Sequence, residues 1–484
     1  MKSSRRKFLE LGGLTGAAML TGLSSCISNV ENTEKIKVKD ATKNAVSKMH
    51  TQRFNMSGYA APKIEKVHIG YVGLGNRGTG AVKTITNLEG VEVTALCDQY
   101  EDRVERSQKI LTDCGIKRAK SYSGNKDIWK SMCENPDIDL IYVTTPWALH
   151  TPMAVYAMEC GKHVVTEVPA AKTIDECWQL VETSEKTHKH MMMLENCCYG
   201  FFELLTLNMA RDGYFGDIVH VEGGYLHDLL EGNFSKTKYS EMWRLKENQE
   251  RNGNLYPTHG LGPLCQVLNI NRGDKMEYLS SMSSDDFSMG KMAAELAAKD
   301  NYYKPYNTNS YRGNMNTSFI KTHKGKTMLI EHDVSSHRPY SRIHQITGTE
   351  GMALKYPLPS RIAKGDHWMD DKEMKELEGK YTPPIIKKIG ELAKEAGGHG
   401  GMDFILAWRL IDLLRNGLPL DQNVYDAALW SSVSSLSEWS VANRSNSIDV
   451  PDFTCGSWKD NAPVDLSLSE GGNTKIKLSD KKQG

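Results

Sequence analysis

The sequence has no surplus of charge. Its 60 lysines and arginines are matched by 60 aspartates and glutamates over 484 residues, so the basic footprint of a nucleic-acid binder is absent. Its ten cysteines are scattered, and no two stand as C-x-x-C. That spacing argues against a zinc ribbon, an iron–sulfur site or a disulfide scaffold, and no metal site is expected. No apolar run reaches the roughly 20 residues of a membrane-spanning helix, and no internal repeat is evident. What remains is ordinary globular composition, 39% hydrophobic and 25% charged, which excludes disorder, collagen and coiled coil. The length fits two or three domains.

The first 26 residues read as an address, not as part of the fold. Ser4-Arg5-Arg6-Lys7-Phe8-Leu9 is a twin-arginine pattern, and an uncharged, moderately apolar stretch runs from Leu11 to Leu23. Leu23-Ser24-Ser25-Cys26 then matches a lipobox. The expectation is export through the twin-arginine translocase to the periplasm, with a lipid anchor on Cys26; the alternative is an ordinary cleaved signal in which Cys26 has no role. Residues 27–62 are polar and aperiodic and read as a tether. The expected organisation is leader 1–26, linker 27–62, a first domain 63–196 and a second domain 197–484, with helices near 400–443 packing back on the first.

The first domain opens on a dinucleotide pattern. Val67-His68-Ile69-Gly70-Tyr71-Val72 is an apolar strand that runs into Gly73-Leu74-Gly75-Asn76-Arg77-Gly78, a G-x-G-x-x-G. A helical stretch and a second strand, Val91–Cys97, follow, and Asp98 stands about 20 residues past Gly78. Gly73 permits the tight turn, Gly75 lets a pyrophosphate approach the backbone, and Gly78 allows close helix–strand packing. A carboxylate at Asp98 bonds ribose hydroxyls and repels a 2′-phosphate, which favours NAD over NADP. Further strands are expected at 138–143, 163–166 and 191–194, with an amphipathic helix over 173–188. Ligands in such sheets sit at the carboxyl ends of the strands. That rule gathers Thr145, Trp147, His150, Glu167 and Asn196 around the nicotinamide half; each alone is equally compatible with a cap or loop role.

The second domain is richer in aromatics, Gly and Asn. Strands are expected at 219–227, 318–322, 327–333 and 342–348, and residues 286–316, rich in Asn, Tyr and Ser, read as a lid. Pro257-Thr258-His259-Gly260 is helix-initiating, with Thr258 as the cap. His259 then sits at a helix N-terminus, where the macrodipole disfavours imidazolium and keeps the ring available as a base. The alternative is a satisfied histidine in a helix cap. Tyr225, Arg244, Tyr256 and Tyr340 are aromatic or cationic residues of the kind that line a ligand pocket; packing or a surface ion pair is the alternative for each. Phe404–Leu414 reads as core, residues 422–443 as another helix, and the C-terminal end as loose.

This layout resembles the sugar oxidoreductase superfamily of glucose–fructose oxidoreductase and inositol dehydrogenase. It implies an α/β chain: an N-terminal Rossmann domain and a C-terminal α/β domain with an open, largely antiparallel sheet. Those dehydrogenases usually carry E-K-P, whose lysine assists acid–base work; here the triplet is Glu167-Val168-Pro169, and valine cannot move a proton. The sequence more closely resembles glycoside hydrolase family 109, the NAD-dependent α-N-acetylgalactosaminidases. The resemblance rests on Gly73–Gly78, Trp147-Ala148-Leu149-His150, Glu167-Val168-Pro169, Glu195-Asn196, Tyr256-Pro257-Thr258-His259-Gly260, Tyr225 with Trp243-Arg244, and Arg338-Pro339-Tyr340-Ser341. It implies an NAD site that includes Asn76, Arg77, Asp98, Trp147, Ala148, Leu149, His150, Glu167, Val168, Asn196 and Tyr256. It implies a sugar site of Tyr225, Arg244, Tyr256, Pro257, Thr258, His259 and Tyr340, with His259, or Tyr256 acting with it, as the base.

An exported enzyme has no free NAD pool, so net oxidation would end after one turnover. The family resemblance implies a way round this: oxidation at C3, elimination between C2 and C1, addition of water, and return of the hydride, giving hydrolysis with retention at a terminal α-N-acetylgalactosamine. The competing readings are a periplasmic oxidoreductase with tightly held NAD, a non-catalytic sugar-binding module, and a conventional glycosidase with a vestigial Rossmann pattern. The expected partners are a glycan or glycoside and the translocase. Oligomeric state is left open; an exposed sheet face in this superfamily often pairs two subunits, which makes a homo-oligomer one expectation.

Overall fold

A computed structural model describes residues 41–477. The twin-arginine pattern, the Cys26 lipobox and the last residues of the chain lie outside the described residues.

The first domain is built on a six-stranded parallel sheet of order β3-β2-β1-β4-β5-β6. Its strands are β1 (Val67–Val72), β2 (Val91–Cys97), β3 (Lys120–Tyr122), β4 (Leu140–Val143), β5 (His163–Thr166) and β6 (Met191–Met193). The central strands are buried on both faces, which is why they read as short continuous apolar runs. Strand order reverses between β1 and β4, so a crevice opens at their carboxyl ends. β3 escapes sequence reading because only Tyr122 of its three residues is buried.

The second domain carries a nine-stranded sheet of order β14-β13-β12-β11-β7-β10-β9-β8-β15. Here β7 is Ile218–Leu226, β8 Met276–Ser283, β9 Met315–Thr322, β10 Thr327–Asp333 and β11 Gln345–Gly348; β12 to β15 are the short strands Gly351–Leu354, Arg361–Lys364, His367–Trp368 and Ile448–Asp449. Only the β7–β10 pair is parallel; the other pairings are antiparallel. The fold class is therefore the α/β pair of domains expected. The helices Met402–Asn416 and Val424–Ala442 do pack back on the first domain, the former against β1 and the helix Asn76–Ile85, the latter against the helix Ile174–Thr187.

Two stretches differ from expectation. Residues 42–62 do not hang free as a tether. Gln52 and the Met56 N–H both bond the Tyr425 hydroxyl, the Arg53 N–H bonds Glu185, and His50 stacks on Trp178 at 3.7 Å. Of the isolated apolar residues of this stretch, Ala45, Met56 and Ala61 are buried on the folded domain while Met49 is exposed, and aperiodic contact of that kind has no signature in sequence. The segment 286–316 is not a loose lid either. It contains the helix Met289–Lys299, whose Met289 and Ala293 join Phe234, Met242, Leu245, Tyr303, Tyr311 and Val334 in a separate small core. Polar flanks masked that helical spacing.

Candidate active site

The glycine turn after β1 has the shape a dinucleotide requires. Gly73 holds φ +91°, and a Cβ there would stand 2.8 Å from the Thr144–Thr145 backbone. Gly78 faces the turn so closely that a Cβ would lie 2.1 Å from the Gly73 carbonyl oxygen. At Gly75 a Cβ would meet nothing within 4 Å. That open space borders the first turn of the helix Asn76–Ile85, which has no side-chain cap and no acidic residue. Its free N–H groups are the anion site that a pyrophosphate uses. Asp98 is buried, its carboxylate accepting the Leu74 N–H at 2.7 Å and the Tyr100 N–H at 3.0 Å. It thus braces the turn as well as standing where an adenosine ribose would lie. The residues fit the cofactor.

The far side of the crevice is a charged network. Arg77 donates to Glu167 at 2.6 Å and to both oxygens of Asp403 at 2.6 and 3.2 Å. Asn196 donates to Asp403 at 2.6 Å, and His399 lies 2.8 Å from it. Burial pushes the Glu167 carboxyl up, against the pull of Arg77. Burial acts on Asp403 too, but His399 and Arg77 outweigh it and hold that carboxyl far below its usual range. Trp147–Leu149 form a single turn after β4, with Trp147 buried and Ala148 and Leu149 exposed. His150 is buried, its ring nitrogens each 2.7 Å from the carbonyls of Pro169 and Thr145, and burial lowers its pKa. It ties together the loops after β4 and β5. Val168, next to Pro169 in sequence, is buried.

The sugar side is assembled by contact between two glycine-bearing elements. The helix Thr258–Val267 presses Gly260 against β7, where a Cβ would stand 2.1 Å from the Gly224 nitrogen. Thr258 is the first helical residue; the cap position belongs to Pro257, and no side chain caps this end. Tyr225 on β7 thereby meets Tyr256, with ring centroids 4.6 Å apart, and His259 at 5.3 Å. Tyr256 and His259 meet edge to face at 4.9 Å. The Arg244 guanidinium lies 5.0 Å from the Tyr256 ring and 5.4 Å from the Trp147 ring, and it donates to the Tyr239 hydroxyl. Arg244 is buried and has no carboxylate partner within salt-bridge distance among the described residues, so cation–π contacts carry its charge. Tyr340, partly exposed, lies edge-on to Tyr225 and His227. Trp147 stacks on Tyr256 at 5.8 Å, which joins the dinucleotide crevice to this aromatic pocket.

Desolvation raises the phenols of Tyr225 and Tyr256, so both are hydrogen-bond donors and not phenolates. His259 is partly buried, and its Nδ1 faces both oxygens of Glu195 at 2.7 and 3.0 Å. Sequence reasoning placed neither Glu195 nor Asp403 in the site. Glu195 stands two residues past the end of β6, so the strand-end rule that selected Asn196 could have found it. Asp403 lies at the start of a helix legible only as core.

Comparison with known proteins follows the same division. Residues 67–195 match the model of the oxidoreductase family, NAD-binding Rossmann fold, and residues 199–460 match glycosyl hydrolase 109, C-terminal domain. Glycosyl hydrolase family 109 protein 1 of Bacteroides fragilis is 46% identical over 417 residues, covering 83% of this chain and 88% of that protein. A Bacteroides fragilis protein named alpha-N-acetylgalactosaminidase is 48% identical over 408 residues, covering 83% and 95%. Among solved structures, myo-inositol 2-dehydrogenase from Lactobacillus plantarum superposes with a TM-score of 0.57 at 15% identity, over 80% of this chain and 99% of that one; it shows the shared fold.

Proposed function

Since the chain belongs to glycosyl hydrolase family 109 and carries an NAD-binding Rossmann domain, we propose that this NAD-dependent glycosidase releases terminal α-N-acetylgalactosamine with retention of configuration. The name of the 48% identical Bacteroides fragilis relative supports the choice of sugar. The observation that carries the reading is the continuity of the dinucleotide crevice with a pocket of Tyr225, Tyr256, Arg244 and His259, through Trp147.

When bound, NAD would supply a hydride acceptor for C3 of the sugar and return the hydride at the end of the cycle, the C3 hydroxyl proton leaving to solvent as the ketone forms and returning with the hydride. The protein's own residues act between these events. The C3 ketone acidifies the C2 proton, and His259 Nε2 removes it. The C1–oxygen bond then breaks, and the departing oxygen takes a proton from solvent or from the protonated phenol of Tyr256. Water adds at C1 and C2 regains its proton. One glycosidic bond is cleaved, one water is consumed and no net oxidation occurs. The paired free carboxylates of most glycosidases are not needed, as is known for NAD-dependent members. The carboxylates closest to the cleft are already engaged, Glu167 and Asp403 by Arg77 and Glu195 by His259. Val168 stands where the related dehydrogenases carry lysine, and it offers no proton.

The Arg244 guanidinium, aimed among aromatic rings without a carboxylate, suits the acetamido oxygen. Arg244→Ala is expected to raise KM by roughly 10- to 100-fold, the worth of one charge-assisted hydrogen bond at about 1.5–3 kcal/mol, with kcat less affected. Steady-state kinetics on an α-N-acetylgalactosaminide measure this. The leader is proposed to send the folded protein through the twin-arginine translocase, with Cys26 lipidated in the periplasm. A cycle that returns its hydride is the chemistry such a compartment permits.

The test of the whole reading is hydrolysis in D₂O, with the product examined by NMR. Free sugar carrying deuterium at C2, with no accumulated NADH, is expected. Ketone product with NADH would indicate an oxidoreductase, binding without product a sensor module, and undiminished activity after removal of NAD a conventional glycosidase.

A further inference from the structure

We propose that Glu195 is the positioning residue of the catalytic base, holding the His259 ring with its proton on Nδ1 so that the lone pair on Nε2 faces the sugar; this rests on His259 being the C2 base. Both Glu195 oxygens lie within hydrogen-bond distance of Nδ1, at 2.7 and 3.0 Å. Among the described residues no protein atom bonds Nε2, which leaves it to the pocket. The arrangement follows the logic of hydrolase triads, in which a buried carboxylate sets the tautomer of an imidazole and stabilises the imidazolium that forms.

Glu195 is itself held through its backbone and its side chain. It follows β6, its Oε1 also accepts the Cys197 N–H at 3.0 Å, and its backbone carbonyl accepts Gln422 Nε2 at 3.0 Å. One helical turn beyond His259, the residue that faces it is Gly262: a Cβ there would stand 2.8 Å from Glu195 Cγ. The helix that carries the base therefore leaves room for the carboxylate by omitting a side chain. Burial alone would push the Glu195 carboxyl up, but His259, Thr258 and the Cys197 N–H outweigh it, so the group stays charged. Its charge also faces the positive end of the helix Thr258–Val267.

The same place admits one other reading. Ligating atoms of Glu195, Cys197 and His259 lie within 4.8 Å of one another and could hold a metal ion. Burial pushes the Cys197 thiol far up, so it is no ready thiolate, and the Nδ1–carboxylate distance is that of a hydrogen bond.

The experiment uses the NAD-loaded enzyme and the variants Glu195→Gln and Glu195→Asp. Glutamine can turn its amide to donate to Nδ1 and so moves the proton to the wrong nitrogen. Glu195→Gln is expected to lower kcat roughly 100-fold with KM and NAD content unchanged. On mixing with substrate, reduced nicotinamide absorbance should build up on this variant, because oxidation proceeds while removal of the C2 proton stalls. Glu195→Asp keeps the charge and is expected to recover part of the rate. Wild-type kcat in Glu195→Gln, equal losses in both variants, loss of rate without reduced nicotinamide, or a stoichiometric divalent metal in the purified enzyme would each overturn the proposal. If Glu195→Gln fails to fold, Gly262→Ala tests the same point by displacing the carboxylate, and should give the same absorbance build-up. Wild-type product without deuterium at C2 removes the base itself, and is thereby distinguished from a failure of Glu195 alone.

Discussion

His259→Ala purifies with its full complement of NAD but turns over about 10⁴-fold more slowly than the parent enzyme; that is the outcome expected if this ring is the base. The expectation has two parts because the histidine and the cofactor are held by different elements. His259 comes from the helix Thr258–Val267 of the second domain, whereas the glycine turn belongs to β1 and the helix after it. Removing the imidazole leaves Glu195 with the Cys197 N–H as its partner and does not reach the turn. Bound NAD, counted after denaturation, and kcat on an α-N-acetylgalactosaminide separate the two parts. A variant that still works at near wild-type rate would move the base to another group. One that loses NAD together with activity would show that the ring supports the fold.

The first domain could be read almost whole from the sequence because parallel strands buried on both faces are written as unbroken apolar runs, and 67–72 and 91–97 match observed strands to the residue. The second sheet was half legible. β10 was found, but β8 was not: in MEYLSSMS the inward Leu279 and Ser281 alternate with outward Tyr278, Ser280 and Met282, so serine sits inside and aromatic and methionine side chains outside. The site divides in the same way. Tyr256 and His259 share one short motif. Glu195, 64 positions before His259, and Asp403, 326 positions after Arg77, enter only through tertiary contact. Local pattern does not pair such residues: the end of β6 could mark Glu195 as near the cleft, but not as the partner of His259.

Two glycines of one turn should both lose NAD when substituted, but only one of them should also lose stability. At Gly78 an added Cβ would stand 2.1 Å from the Gly73 carbonyl oxygen and 2.5 Å from Thr144 Oγ1, and Thr144 is itself bonded to that carbonyl. The nearest obstacle is backbone, which cannot swing aside as a long side chain would. Gly78→Ala must therefore push the helix Asn76–Ile85 off β1, at an overpacking cost of about 1–3 kcal/mol, and the misplaced N–H groups no longer meet a pyrophosphate. The chain is expected to purify without NAD, without activity and with a lowered unfolding midpoint. At Gly75 a Cβ meets no protein atom within 4 Å, so the cofactor-free fold should be untouched. That same open space is where the phosphates approach, however, and Gly75→Ala should lose NAD with an apo unfolding midpoint close to that of the parent. Thermal unfolding of the stripped proteins, read beside NAD stoichiometry, distinguishes the cases. If Gly75→Ala kept its NAD, the pyrophosphate would not lie against this turn, and the assignment of the crevice would have to be revised.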